Sequence, residues 1–426
     1  MNILMLGRWL PPSRKPVRAT REYQFARRLS RKHRLTLAFV NDHPDAAGPI
    51  SALRTEFNDL EFASVPRGWR SLAGALSLAT GESCTLSYFR SEALRTRLAD
   101  RVRRAPYDLV FVTSSSMLQY ALGLDAAIPL LVDFGCVDSE WWAAQAARSS
   151  FPSDRFFRTE AARLRVVESA AARRAVRCVV ATREAARVVQ SLAPGVPTSV
   201  IANGLDLEFF GATPRFGLEP TVVLNAALGA ERDLAEVMDF GRKITPLVRA
   251  RVPKARFVLS VRDPLVRVKP PVDLPGLEIT GVSTDLRTLF HSHAVAVVPP
   301  AAGLDVRSTV LEPMAAGIPV VGGRHVCDEL GAKASQALVA CEAVGDFEMK
   351  IVHLLEDESF RSEVGAQGRA YVAAHYAWDV LTPRLSEIVD SLAPPTGPRT
   401  ALTSAPLREA EPADARPRGP LGADMP

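Results

Sequence analysis

Residues 303–321 read Gly303-Leu304-Asp305-Val306-Arg307-Ser308-Thr309-Val310-Leu311-Glu312-Pro313-Met314-Ala315-Ala316-Gly317-Ile318-Pro319-Val320-Val321. The order is a glycine-containing loop, a short helix and then a strand, with Ser308 or Thr309 able to cap the helix and Gly317 able to end it. A helix start aims unpaired N–H groups and a partial positive charge at whatever lies in front of it, which suits a diphosphate. Pro313 costs little in a first turn, where its missing N–H would have no partner anyway. Arg307, just upstream, adds an always-charged fork able to grip the same phosphates.

The same alternation of short apolar runs and longer amphipathic segments extends in both directions, as in helices packed on parallel sheets. Strands are expected over Asn2 to Leu6, Leu35 to Val40, Leu60 to Val65, Leu109 to Thr113, Leu130 to Phe134, Cys178 to Ala181 and Thr198 to Ala202. A second series covers Thr221 to Asn225, Arg256 to Val261, Leu277 to Thr280, Ala294 to Val298, Ile318 to Val321 and Ala337 to Cys341. Helices are expected over Arg18 to Arg31, Glu92 to Arg104, Asp154 to Arg174, Leu234 to Arg249, Asp346 to Glu356 and Ser359 to His375. The fold class is therefore α/β, with two units, 1–205 and 221–376, joined by an aperiodic linker at 206–220. Residues 393–426 carry eight prolines and no apolar face, the composition of a disordered tail. Open α/β sheets bind ligands at the carboxyl ends of their strands, so chemistry is to be sought in the strand-exit loops along the cleft.

The 426 residues are 47% hydrophobic and 23% charged, which excludes wholesale disorder and a single small module. The formal charge is +5, yet the first 34 residues hold ten cations against one anion, Glu22, so the basicity is local. That distribution points to an anionic ligand or membrane surface. Nucleic acid is the weaker explanation, because no recognised motif or interleaved aromatics accompany the cations. Cys84, Cys136, Cys178, Cys327 and Cys341 have neither metal-ligand nor paired spacing. His291 and His293 read as structural polarity at a helix end rather than ligands. No run reaches the roughly 18 apolar residues of a membrane span, and the opening residues lack the pattern of a signal peptide. A reducing cytoplasm is the expected compartment.

Leu311 to Val321 resembles the L-E-A-M-A-x-G-x-P-V-V signature of the retaining GT-B glycosyltransferases of family four. Further matching stretches are Asn2 to Leu6 with Leu10-Pro11-Pro12, Ser114 to Tyr120, Val137-Asp138-Ser139-Glu140-Trp141, Asn203-Gly204-Leu205-Asp206 with Phe210, and Thr280-Gly281. Together they cover residues 1 to about 390 and most resemble the sugar transferases found with PEP-CTERM/exosortase exopolysaccharide systems. The resemblance implies a GT-B fold, two Rossmann-like domains facing across a cleft. It also implies a closing helix over 377–392 that crosses back to the first domain. Leu304 stands where the family's first acid of a paired E-x(7)-E would be, with Asp305 adjacent. Arg307 fits the variant G-x-R-x-K-x-x-E, whose lysine position is Thr309. Ala226 or Ala227, and Val261, stand in for two expected glycines.

Carried over at matching positions, the resemblance implies that Glu312 binds the nucleotide ribose and that Gly281 lets backbone approach the base. Arg262, Arg307 and Arg232 would stabilise the departing diphosphate, with Ser308 and Thr309 beside them. Front-face displacement needs no metal and no cofactor, since the nucleotide sugar is itself a substrate. Asp138 and Glu140, at a strand exit, are placed to touch acceptor or donor sugar, with Ser115 at the neighbouring exit. Arg14, Lys15, Arg18 and Arg21 lie where a phosphorylated, lipid-linked or saccharide acceptor would enter. The basic start and Trp69 to Leu78 also read as peripheral contact with an anionic inner-membrane surface. Blander readings stand beside these: favourable helix-start acids for Asp138, Glu140 and Glu312, and solvated helix faces for the arginines. A second functional reading, prompted by Leu304, Thr309, Ala226 and Val261, is a non-catalytic GT-B partner in the same export pathway.

Overall fold

The apolar runs become two wholly parallel sheets. The structure, a computed structural model, describes residues 1–8, 20–41, 47–57, 59–64, 77, 80–211, 219–225, 231–260, 276–280, 286–300, 307–330 and 337–393. The first sheet comprises β1 (Asn2–Leu6), β2 (Arg34–Asn41), β3 (Leu60–Ser64), β4 (Leu109–Val112), β5 (Leu130–Gly135), β6 (Arg177–Val180) and β7 (Thr198–Val200), in the order β3-β2-β1-β4-β5-β6-β7. The second comprises β8 (Thr221–Asn225), β9 (Arg256–Ser260), β10 (Leu277–Thr280), β11 (Val295–Val298), β12 (Val320–Gly323) and β13 (Val339–Cys341), in the order β10-β9-β8-β11-β12-β13. In register, Ile3 pairs with Leu35 on one side and Leu109 on the other, and Val222 pairs with Phe257 and Val295. Strands covered on both faces have no reason to alternate polar and apolar residues, which is why these read as continuous apolar runs. In each sheet the order reverses once, between β1 and β4 and between β8 and β11. Those are the topological switch points, where open α/β sheets form their binding crevices. Two Rossmann-like domains in this arrangement constitute a GT-B fold.

The expected strand Ile318 to Val321 begins two residues late, at Val320. Pro319 has no N–H to give a ladder, although its carbonyl still accepts from Ala296 at 3.0 Å. The stretch expected as an aperiodic linker begins with a helical turn, Leu207–Phe210, capped by Asp206. Phe210 is buried in the core of the second sheet. Residues 394–426, expected as a disordered tail, lie outside the described residues, as does nearly all of Trp69 to Leu78.

Six of the helices position the two crevices: α1 (Arg21–Leu29), α2 (Asp138–Arg148), α3 (Ser153–Arg174), α4 (Glu312–Ala315), α5 (Glu358–His375) and α6 (Trp378–Ser391). Thr20 caps α1 by accepting from the Tyr23 N–H. Although α6 follows the second sheet in sequence, it completes the core of the first. Its Trp378, Leu385, Ile388 and Val389 pack with Ile3, Met5, Phe25 and Phe111. Each such burial contributes about 1.5–3 kcal/mol, so the terminal helix is held by its apolar stripe. Trp378 stands edge-on to Phe25, ring centroids 6.0 Å apart. It also lies flat over Gly204, where an added Cβ would come within 2.5 Å of the indole. Only a residue without a side chain lets the two chain crossings run this close. Beside them the Leu205 N–H donates to the Tyr376 carbonyl at 2.8 Å, and Leu205 pairs in parallel with Ala377.

Arg21 holds that crossing in place. Its Nε and Nη2 donate to the two carboxylate oxygens of Asp133, at 2.6 and 2.9 Å. Nη1 donates to the carbonyls of Ile201 and Ala202 at 2.7 and 3.1 Å. The guanidinium lies 4.4 Å from the centroid of the Phe25 ring. With the Asp133 side chain 1% exposed and that of Arg21 10%, removing one charge leaves the other buried and unpaired, which costs about 3–5 kcal/mol. Asp133→Asn is therefore expected to lower the free energy of urea unfolding by that amount at neutral pH. A loss below about 1 kcal/mol would mean that the clamp is not what holds β5 to the crossing.

Candidate functional site

At the switch point of the first sheet, three strand exits meet. Arg8 follows β1, with its guanidinium 4.8 Å from the centroid of the Phe89 ring. Ser114 to Ser116 follow β4, and Asp138 begins α2 after β5. Beneath them lies Glu168, fully buried on α3. It accepts from the Ser115 hydroxyl at 2.7 Å and from the Ser139 N–H at 3.2 Å. Asp138 stands beside Ser115, whose hydroxyl is given to Glu168. Burial, then the neighbouring Glu168 charge, pushes the Asp138 carboxyl up to about 6, against the opposing pull of Arg8. Glu22, in the first turn of α1, is pushed up to about 7, chiefly by burial and further by Asp133, against Arg21 and Arg8. The crevice thus presents two carboxyls able to hold a proton near neutral pH, next to a fixed cation. Groups of this kind suit hydrogen-bonding and proton exchange with hydroxyls.

The second switch point is built by residues 307–321. Residues Arg307–Leu311 form a π-helical turn that runs directly into α4, so Ser308 and Thr309, expected as the helix cap, lie within the turn instead. Single π turns are rare and are frequently found at functional sites. Here the residue that follows is Glu312, buried at 3% exposure. The side-chain amide of Asn225, at the exit of β8, donates to the Thr309 carbonyl at 2.8 Å and fixes the turn to the sheet. Gly317 ends α4 with φ +78°, a left-handed conformation that glycine adopts without strain. Behind it Gly365 of α5 leaves no room for a side chain, since a Cβ would sit 2.2 Å from the Gly317 carbonyl oxygen. Arg369 of the same helix donates to the Ala315 carbonyl and, at 3.3 Å, to that of Leu207. The short helix is therefore anchored at both ends, and Glu312 with it.

The structure brings Asp138 and Ser115 together but gives other expected residues different settings. Glu140 faces solvent and pairs with Arg165 at 2.7 Å, rather than joining Asp138. Ser115 is buried and committed to Glu168, beneath the crevice rather than lining it. Arg21, expected to receive an acceptor, is spent on Asp133 and the 201–202 carbonyls. Arg14, Lys15, Arg18, Arg262 and Gly281 lie outside the described residues, as do the side chains of Arg232, Arg307 and Ser308. His293 Nδ1 lies on the Leu289 carbonyl, and among the described residues no His, Cys, Asp or Glu cluster could hold a metal ion. Arg8, Glu22, Asp133, Glu168 and Asn225 join the site only in the structure. A signal existed for three of them. Asp133 interrupts an apolar strand, Asn225 ends one, and Glu168 falls on the buried stripe of α3 with Leu164, Ala171 and Ala172.

A carboxyl whose pKa is raised by folding stabilises the fold below its unfolded value and loses that contribution as pH rises through the folded value. For Asp138 the window runs from the ordinary carboxyl value of 3.8 to about 6. Asp138→Asn removes the penalty of ionising this group. Its stability relative to wild type is expected to improve by about 1–3 kcal/mol between pH 4 and pH 8. Urea unfolding across that range tests this, and parallel pH profiles for the two proteins would contradict it.

Residues 219–357, which contain β8 to β13 and Glu312, match the family described as Glycosyl transferases group 1. Over 93 residues the chain is 33% identical to the GDP-mannose-dependent monoacylated alpha-(1-6)-phosphatidylinositol monomannoside mannosyltransferase of Corynebacterium glutamicum. That stretch is 21% of this chain and 24% of the relative, so the chain spans about a quarter of the curated protein it matches. Solved structures match over nearly the whole molecule. Anabaena HepE, crystallised with UDP and glucose, aligns with a TM-score of 0.53 at 15% identity, covering 92% of this chain and 100% of HepE. The sucrose-phosphate synthase of Thermosynechococcus elongatus aligns with a TM-score of 0.55 at 14% identity, covering 92% and 99%. At such identities the likeness is one of fold, and it extends the GT-B architecture across both sheets. The family match is carried by the second sheet and the α4 region.

Proposed function

We propose that this chain is a retaining, metal-independent glycosyltransferase that moves a hexosyl group from a nucleoside-diphosphate sugar to a lipid-linked exopolysaccharide precursor. The observation that carries the reading is the setting of Glu312: buried, directly after a π-helical turn, at the switch point of the second sheet. It lies inside the segment that matches Glycosyl transferases group 1. The nucleotide-sugar donor is supported by that match and by the GDP-mannose dependence named for the Corynebacterium relative. The exopolysaccharide acceptor is supported by the resemblance to the PEP-CTERM/exosortase transferases.

In this reading Glu312 accepts hydrogen bonds from the ribose hydroxyls, a task for which a carboxylate's two oxygens are suited. By the resemblance, Arg307, Arg262 and Arg232 would stabilise the charge that grows on the diphosphate as it leaves, with Ser308 and Thr309 in the same motif, and Gly281 would let backbone approach the base. The bond from C1 to the diphosphate oxygen breaks, and the bond from C1 to the acceptor oxygen forms on the same face. The acceptor's proton passes to the departing phosphate oxygen, so no strong protein base is needed. Asp138, Glu22 and Arg8 then serve to bind and orient sugar hydroxyls. Arg14, Lys15 and Arg18 take the acceptor's phosphate. The enzyme works at the cytoplasmic side of the inner membrane.

Glu312→Gln keeps the shape of the side chain and removes its charge. A nucleotide at 100 times its dissociation constant stabilises a protein by about 2.7 kcal/mol. One of UDP, GDP, ADP or dTDP is therefore expected to raise the melting temperature of wild type. Glu312→Gln should bind that nucleotide at least about tenfold more weakly, the loss of a charged hydrogen bond. A wild type that none of the four stabilises would favour the non-catalytic reading. An undiminished response in the variant would remove Glu312 from the donor site.

A further inference from the structure

The solvent side of α2 carries Trp141, Ala143, Ala144 and Ala147 beside Glu140 and Arg148, more apolar surface than the charged outer face of an ordinary surface helix. Among its residues only Ser139 and Ala146 are buried. Outward it presents Trp141, 54% exposed, with Ala143, Ala144 and Ala147. At the turn into α3 the apolar surface continues through Phe151, 73% exposed, and Pro152. Trp142 is not part of this face. It is half-buried in an aromatic cluster with Phe156 and Phe157, ring centroids 6.0 and 5.5 Å away, which stiffens the hairpin from behind.

Charge surrounds the apolar surface on one side of the balance. Arg148, Arg155 and Arg158 are all exposed around the hairpin tip. Arg158 pairs with Asp154 at 2.9 Å, whereas Arg148 and Arg155 make no ion pair among the described residues. Glu140, the acid on the outer side of α2, is neutralised by Arg165. An exposed Trp and Phe with alanines between them and unneutralised arginines at the rim is the composition of a surface that lies in the headgroup layer of a bilayer. Arginine at that depth keeps its charge in the headgroups while its stem lies along apolar surface. A protein partner would be matched to the apolar part but would need acids for the arginines; an anionic bilayer supplies both from one surface.

We propose that the outward face of α2 and the tip of the α2–α3 hairpin dock on an anionic lipid bilayer. Asp138 is the first residue of that helix and Trp141 follows one turn later, so docking sets the mouth of the first-sheet crevice at the lipid headgroups. The inference concerns a surface outside the donor site and is measured without nucleotide, so it stands or falls separately from the sugar-transfer reading.

The test is co-sedimentation of the full chain with phosphatidylcholine vesicles containing about a third phosphatidylglycerol, or none, at low and high salt. Wild type is expected to bind the anionic vesicles, to release them in high salt, and to leave the neutral ones at least tenfold less occupied. Arg148→Glu with Arg155→Glu, and separately Trp141→Ser with Phe151→Ser, should each weaken binding about tenfold or more while keeping the melting temperature of wild type. Brominated acyl chains should quench tryptophan fluorescence in wild type more than in Trp141→Phe. Failure of wild type to sediment, equal binding to neutral vesicles, or unchanged binding by both double variants would overturn the proposal. So would a concentration-dependent dimer that Trp141→Ser with Phe151→Ser abolishes, since a second copy would then own the face.

Discussion

The bidentate pairing of Arg21 with Asp133 is the constraint on which the arrangement of the two sheets rests. One guanidinium ties the first helix to the end of β5 and, through its remaining nitrogen, to the backbone at Ile201 and Ala202, where the chain leaves the first sheet. A lysine could not do this, because an ammonium lacks the planar fork that meets two carboxylate oxygens and two carbonyls together. The crossing so fixed then meets the returning chain. Leu205 pairs with Ala377, Gly204 admits the Trp378 indole, and α6 closes the core of the first sheet. Arg369, joining Leu207 to Ala315, extends the same frame to the helix that carries Glu312. From Asp133 to Glu312 the connection runs through one ion pair, one close packing contact and side-chain hydrogen bonds to backbone carbonyls.

The two switch points divide the chemistry by charge. In the first sheet, burial raises the Asp138 and Glu22 carboxyls toward neutrality, with Glu168 adding to the first and Asp133 to the second, beside Arg8. Such groups can donate as well as accept, which suits hydroxyl-rich ligands. In the second, a buried acid stands at the end of an unusual turn whose position is fixed by Asn225 from the sheet and Arg369 from behind. The stiffness of this second corner has a visible origin in glycine: Gly317 supplies a left-handed turn and Gly365 lets α5 approach its carbonyl. A substitution at either would act on Glu312 without touching it.

Much of this was legible in the residues, for a physical reason. Strands of a doubly covered parallel sheet are short apolar runs, and every such run read from the sequence lies in one of the two sheets. The helix expected over Glu92 to Arg104 has those bounds in the structure, where Ser91 caps its start. What escaped was whatever depends on a distant partner. Arg21 stood in a basic run and read as an exposed ligand-binding cation, although Asp133, an acid inside the apolar run Leu130 to Phe134, implied a buried partner somewhere. Glu140 looked equivalent to Asp138 by spacing, yet two residues along a helix turn a side chain to the other face. The π turn at Arg307–Leu311 carries no residue signature that separates it from an ordinary helix start, so Ser308 and Thr309 read as caps. The outward apolar face of α2 was hidden in a string of alanines that a hydrophobic count scores as unremarkable.

The central claim is that a sugar leaves a nucleoside diphosphate at the Glu312 corner and keeps its anomeric configuration. The most direct measurement is NMR of the full-length protein with UDP-, GDP-, ADP- and dTDP-linked α-hexoses and a polyisoprenyl-phosphate-linked saccharide, with a chelator present. Phosphorus signals follow release of the nucleoside diphosphate, and the anomeric proton reports the new bond. The account predicts release from one of these donors, undiminished by the chelator, and an α-linked product. A β-linked product, or no release above buffer from any of the donors, would contradict it.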